Sequence, residues 1–379
     1  MERQIVHCDL DTFFVSVERL LDPKLIGKPV LIGGTSDRGV VSSCSYEARK
    51  FGVHSAMPMR LARQLCPEAK LVKGDYDQYS YYSNMVTEII SEQAPLVEKA
   101  SIDEHYLDIT GMDKWFGCWK WTQELRQRII KETNLPISFG LSVNKTVSKI
   151  ATGEAKPCGE QEVLTGNEKI FLAPLSIRKI PMVGEKTYTL LRNMGISRIH
   201  TLQQMEVVTM QQVLGENGIS IWKKANGVDN SPVVPYSEQK SMSKEHTFMQ
   251  DTIDMEFLKK IMLTTIDELA FDLRKDRKLT SCLTLKIRYS NFDTHTKQVK
   301  FSYTSSERVL SEKVLQLFQK LYSRRMLIRL IGVKFSGLIN GSYQADIFND
   351  SIKDISLSQA MDHIRLKYGV NKILRGISL

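Results

Sequence analysis

The sequence predicts an α+β chain of several domains, on three grounds. Its 379 residues exceed what one hydrophobic core organises, so two to four domains are expected. Strand-like and helix-like periodicities are interspersed along it. Charge is placed unevenly: residues 1–239 carry 28 Lys and Arg against 28 Asp and Glu, residues 240–341 carry 19 against 11, and residues 342–379 carry 5 against 4. A basic module thus follows a neutral body, which suits a polyanionic partner. With 42% hydrophobic and 25% charged residues, and no run approaching the roughly 18 apolar residues that span a bilayer, the chain reads as soluble, with no membrane partner. The start, MERQIVHCDLDTFF, has no signal-peptide pattern. Six cysteines without a CxxC and seven histidines without an HxxxH argue against structural zinc and for a reducing, cytoplasmic location.

The first strand runs from Gln4 to Leu10, and Asp11 or Thr12 is placed to cap the helix that follows. Residues 21–75 are compact and turn-rich. Helices are expected over Tyr76–Gln93 and Trp115–Thr133, with a strand over Leu96–Ile109 between them. Residues 166–232 are helical, punctuated by the turns IPMVGEKT and RNMGI, and 233–241 reads as a linker. Beyond it come strand (Lys244–Phe248), helix (Met255–Lys275), strand (Leu283–Ser290), strand (Lys297–Thr304), helix (Glu307–Tyr322) and strand (Arg329–Ile339), the βαββαβ order of ferredoxin-like domains. Alternation turns Leu283, Leu285, Ile287, Val299, Phe301 and Tyr303 towards the helices. It leaves Thr284, Lys286, Arg288, Gln298, Lys300 and Lys334 on an open basic face.

Asp9 ends an apolar strand, and SIDEHYLD sets Asp103 and Glu104 in another strand-like stretch. Carboxylates at such positions need a counter-charge or a metal, and Mg²⁺ takes hard oxygen ligands, one or two carboxylates with substrate phosphates. Two such ions roughly 4 Å apart clamp the attacking and leaving oxygens of a phosphoryl transfer. Adjacent strand residues point to opposite faces, so Asp103 and Glu104 require a bend or bulge to serve one site.

The runs DLDTFFVSVE, SYEARKFGVHSAMP, SIDEHYLDITG, GLSVNKTVSKIATGEAKPCG and IPMVGEKT resemble the Y-family DNA polymerases, in order, over residues 1–341. The resemblance implies a right-hand polymerase: a ferredoxin-like palm (1–20 and 76–165), small fingers (21–75), a helical thumb with a helix-hairpin-helix (166–232) and a little-finger domain (242–341). It implies two Mg²⁺ ions on Asp9, Asp103, Glu104 and the Leu10 carbonyl, with primer–template DNA and deoxynucleoside triphosphates as substrates. By position, Ser43, Tyr46, Arg49 and Lys156 match the residues that hold the triphosphate. Arg supplies a bidentate fork, Lys a point charge and the hydroxyls further donors. Phe14 falls at the steric gate that excludes ribonucleotides, although its spacing with Val17 and Leu21 equally suits a core residue. Gly184 in IPMVGEKT matches a backbone phosphate contact. His105 and His54 depart from the commonest family wording without removing an implied ligand. The resemblance also implies low fidelity and translesion synthesis.

In the tail (342–379), Gln344, Ile347 and Phe348 form a QxxLF-like pattern for a sliding clamp. The alternative has Ile347 and Phe348 packing on a tail helix through Leu357, Met361, Ile364 and Tyr368. Two other functions use parts of the same pattern. A nucleotidyl cyclase shares carboxylate-bound metals on a ferredoxin-like palm, and an idle DNA-binding scaffold needs only the basic module.

Overall fold

The computed structural model describes residues 2–112, 117–341, 352–369 and 373. It divides into two compact units, Met1–Ser237 and Glu238–Leu379.

The first unit opens with β1 (Ile5–Leu10) and α1 (Phe13–Leu21). A small subdomain follows: β2 (Val30–Gly33), β3 (Val41–Cys44), α2 (Tyr46–Arg49), α3 (Met59–Leu65) and β4 (Lys70–Val72), with sheet order β3-β2-β4. Next come α4 (Tyr76–Gln93), β5 (Leu96–Lys99), β6 (Glu104–Asp108), α5 (Cys118–Thr133), β7 (Ile137–Ser142), α6 (Lys145–Ala155) and β8 (Glu160–Glu162). The main sheet has the order β5-β6-β1-β7-β8.

The two faces of β1 decide what this sheet does. Val6, Cys8 and Leu10 join Leu107, Ile137, Phe139 and Leu141 in a core beneath α4 and α5. Each large aliphatic buried there contributes about 1.5–3 kcal/mol. His7 and Asp9 point the other way, towards α6. That helix lies almost on the sheet, because a Cβ at Gly140 would meet Ser148 O at 2.3 Å and Thr152 N at 2.6 Å. Asn144 starts α6 by accepting from Val147 N (3.0 Å).

Several expectations change here. The stretch 96–109 is two strands rather than one, broken by a bend at 100–103. Neither Asp11 nor Thr12 caps α1: Thr12 is the N-cap residue but is left-handed (φ 43°) and makes no capping hydrogen bond with its side chain.

Helices α7 (Glu168–Leu172), α8 (Glu185–Asn193), α9 (Ile199–Gln203), α10 (Val207–Leu214) and α11 (Glu216–Ala225) share a core of Leu172, Ile177, Leu191, Ile199, Met210 and Ile221. The segment after them is tied back to the first turn of α6 by Asn144 Nδ2 to Gly227 O (2.8 Å) and Thr146 Oγ1 to Asp229 Oδ2 (2.6 Å). Val233, read as the start of a linker, packs against Ile5 and Tyr106.

The second unit runs β9 (Ser241–Thr252), α12 (Met255–Lys275), β10 (Lys278–Tyr289), β11 (Thr294–Thr304), α13 (Glu307–Leu321), β12 (Ile328–Asn340) and α14 (Ile352–Tyr368). Its sheet order is β11-β10-β12-β9, antiparallel throughout. The second and fourth strands are central, whereas in the main sheet of the first unit the strands β1 and β6, first and third of its βαββαβ series, are the central pair. Element order alone does not distinguish the two arrangements.

Alternation holds for Leu283, Leu285, Ile287, Val299 and Phe301, which pack on α12 and α13. It fails for Tyr303, 38% exposed, because the register shifts between Thr280 and Cys282 where β11 ends. On the tail helix, Met361 is buried but Leu357 and Tyr368 are exposed. Arg365, almost fully buried, makes a bidentate pair with Asp267 of α12 (2.9 and 2.5 Å), and Arg274 of α12 pairs with Asp362. Gln344, Ile347 and Phe348 lie outside the described residues.

Candidate active site

Asp9, Asp103 and Glu104 lie where the last residues of β1 meet the start of β6. Asp9 is paired in register with Glu104 of β6. The bend required before Glu104 is built by Ser101, whose Oγ accepts from Asp103 N (3.3 Å) and Glu104 N (3.1 Å) and donates to Asp103 Oδ1 (2.5 Å). Leu10 N donates to Asp103 O (3.0 Å), pinning the bend to β1. Asp103 therefore leaves the strand, and the geometric obstacle to its joining Asp9 disappears.

A cavity of about 150 Å³ lies over this point, and Asp9, Leu10, Phe14, Ser43, Arg49, Asp103 and Lys156 are among its lining residues. Glu104 and Tyr46 are adjacent but do not line it. The Glu104 carboxylate is held from α6, where Lys149 Nζ donates to both of its oxygens at 2.6 Å. Lys156 Nζ sits 2.5 Å from Asp9 Oδ1. Burial pushes the Asp9 carboxyl above its ordinary range, against the opposing pull of the Lys156 ammonium. Glu104 is held below its ordinary range by the His7 ring edge and by Lys149. His7 Nε2 is 3.9 Å away, too far for a hydrogen bond, and burial lowers the His7 pKa to about 4, so the Lys149 ammonium is the stronger cause near neutral pH.

Among the described residues, no three His, Cys, Asp or Glu side chains are grouped closely enough to hold a metal by themselves. The donor set still fits Mg²⁺. That ion takes one or two carboxylates and completes its shell with water and substrate phosphates, and Asp9 and Asp103 share the cavity with two cationic side chains suited to phosphate.

Phe14 stacks on Tyr79, with centroids 4.2 Å apart and planes 11° from parallel, and Tyr79 OH donates to buried Glu18 (2.5 Å). The Phe14 ring packs partly against the core and partly lines the cavity wall. Arg49 stacks over the Tyr46 ring at 4.9 Å. Gly184 is the N-cap of α8, beside exposed Met182. His105 pairs with Cys8 on the opposite face of the sheet and reaches Thr87 Oγ1 (3.0 Å), away from the acids, and His54 is exposed. In the second unit, Lys300 and Lys334 are exposed, Lys286 pairs with Glu245 (2.7 Å), and Arg288 Nε donates to Thr294 Oγ1.

Sequence reasoning missed three residues near the acids. Lys149 and Ser101 gave no signal beyond their place in motifs, while Asp11, read as a helix cap, is buried and accepts from Ser138, Cys158 and Tyr46.

The fold and site define a nucleotidyl-transfer enzyme of the polymerase type. The profile described as the impB/mucB/samB family matches residues 8–153, and that of its C-terminal domain matches 239–347. A DNA polymerase IV of Dehalococcoides mccartyi is 37% identical over 378 residues, covering 99% of this chain and 97% of the relative. The DNA polymerase IV of Streptococcus pneumoniae is 36% identical, over 89% of this chain and 97% of its own. A solved Y-family DNA polymerase chimera of Dbh and Dpo4 superposes with a TM-score of 0.79 at 26% identity, over 89% of this chain and all of its own. The chain belongs to the impB/mucB/samB family, that of the Y-family DNA polymerases, and is a DNA-directed DNA polymerase of the translesion type. The cyclase and scaffold alternatives are not favoured.

Proposed function

We propose that the chain extends a primer by low-fidelity, template-directed addition of deoxynucleotides, with two Mg²⁺ ions held by Asp9, the Leu10 carbonyl, Asp103 and Glu104. What supports this most is the convergence of Asp9, Asp103, Phe14, Ser43, Arg49 and Lys156 on one cavity from separate stretches of chain. When bound, the ions would supply electrophilic activation of the phosphoryl group and stabilise both attacking and leaving oxygens. The side chains do the rest. Arg49 and Lys156 offset the triphosphate's charge, and Ser43 and Tyr46 donate to its oxygens. Lys149 keeps Glu104 ionised and oriented. Phe14, braced by Tyr79, closes the wall beside the sugar. Primer extension of matched template with and without Mg²⁺ tests the reading.

The second unit is the little finger, its open sheet face receiving the DNA backbone through Lys286, Arg288, Lys300 and Lys334. Gly184 offers a backbone contact from the thumb. Lys300→Ala and Lys334→Ala should each reduce the slope of log affinity against log salt by about 0.9, at equal cost on all sequences. Slopes unchanged in both variants would make this face merely solvated.

We assign the protein to the cytoplasm. All six cysteines are free, and no described helix is long and apolar enough to cross a membrane. A sliding clamp is the proposed partner of Gln344, Ile347 and Phe348. Tethering raises effective concentration at the primer end, so Gln344→Ala with Phe348→Ala should abolish clamp stimulation and spare clamp-independent extension. Equal loss in both assays would show that the segment supports the fold instead.

A further inference from the structure

Asp11 lies two residues beyond Asp9 in the run DLD, a spacing that invites reading it as another metal ligand. Its geometry points elsewhere. The carboxylate is 1% exposed and does not line the cavity. Both oxygens are taken by protein donors: Ser138 Oγ lies 3.1 Å from Oδ1 and 2.9 Å from Oδ2, Cys158 N donates to Oδ2 at 2.5 Å, and Tyr46 OH approaches Oδ1 at 3.4 Å. These donors come from three separate stretches, namely β7, the turn after α6, and α2. Two of them lead directly to cations on the cavity wall. Tyr46 carries Arg49 stacked on its ring, and Cys158 is two residues from Lys156, whose Nζ lies 3.8 Å from Asp11 Oδ1 and 2.5 Å from Asp9 Oδ1. Ser138 extends the brace by accepting from Gly159 N (3.1 Å).

We propose that Asp11 is a positioning residue for the incoming nucleotide: one buried carboxylate that fixes Arg49, through Tyr46, and Lys156, through the Cys158 amide, at the separation a triphosphate requires. A buried carboxylate is costly unless every lone pair is met. Here the same donors that satisfy it also set the distance between two phosphate-binding cations. The inference rests on the reading of Arg49 and Lys156 as triphosphate ligands and adds the group that holds them in register. It also separates the two aspartates of DLD, with Asp9 facing the cavity and Asp11 behind it.

The test uses the full-length chain on primed template. Asp11→Asn keeps the volume but turns one acceptor into a donor facing donors. It should raise KM for the matched deoxynucleotide, and weaken equilibrium binding of a non-hydrolysable deoxynucleoside triphosphate, by about tenfold or more. Primer–template affinity should stay within about twofold, and kcat should change less than KM. Ser138→Ala removes one donor without touching the charge and should shift KM in the same direction by a smaller factor. A merely structural carboxylate would lower the melting temperature and the active fraction while leaving KM and nucleotide affinity unchanged in both variants, and that result overturns the proposal. If Asp11→Asn does not fold, Ser138→Ala decides alone. Lys156→Met keeps the two levels apart. Raised KM in Lys156→Met with unchanged KM in the Asp11 and Ser138 variants refutes only the role of Asp11, whereas unchanged KM in Lys156→Met refutes the nucleotide site itself.

Discussion

Asp103→Ala and Glu104→Ala are each expected to lower primer extension by on the order of 10³-fold or more, while primer–template binding stays within a few fold. The magnitude follows from the proposed role of these carboxylates in holding the ions, since one lost electrostatic partner of the transition state already costs about 10²–10³ in rate. Binding is spared because the groups expected to meet the DNA backbone lie in other elements. Glu104→Ala carries a second consequence: it leaves the Lys149 ammonium without the carboxylate that now takes two of its hydrogen bonds. Glu104→Gln, which keeps an acceptor for Lys149, should fold as well as the wild type and still fail to extend. Near wild-type extension by either alanine variant would remove these residues from the active site.

The second large effect is at the sugar. Phe14→Ala should raise incorporation of ribonucleotides relative to deoxyribonucleotides by roughly 5- to 150-fold, because crowding an extra group into filled volume costs about 1–3 kcal/mol. Tyr79 makes that volume rigid: its ring is stacked on Phe14 and its hydroxyl is bonded to Glu18, so the Phe14 ring has little freedom to yield. Matched single-nucleotide kinetics with the two sugars measure the ratio. An unchanged ratio would return Phe14 wholly to the core it half occupies.

Much of this was readable in the residues themselves. Leu283, Leu285 and Ile287 alternate as a half-buried strand must, and α12 spans Met255–Lys275 as its periodicity requires. The need for a bend between Asp103 and the strand followed from pleat geometry alone, and the bend is there. Other features depended on tertiary partners that a linear reading does not supply. Asp11 sits where a helix cap would, but donors from residues 46, 138 and 158 outbid the local N–H groups for its oxygens. Arg365 pairs with Asp267, 98 residues away, and nothing local marks it for burial. Tyr303 follows the strand period until a register shift, invisible in the sequence, turns it out. The Lys149–Glu104 pair joins residues 45 apart, and nothing local marks it.

The account stands on templated nucleotide addition that requires a divalent ion, and single-turnover extension of a primed template measures this most directly. With one deoxynucleoside triphosphate at a time, the wild-type chain should add the template-matched nucleotide in Mg²⁺, add none after chelation, and regain activity when Mg²⁺ is restored. Extension that ignores the template base, or that persists at the same rate without a divalent ion, would contradict it.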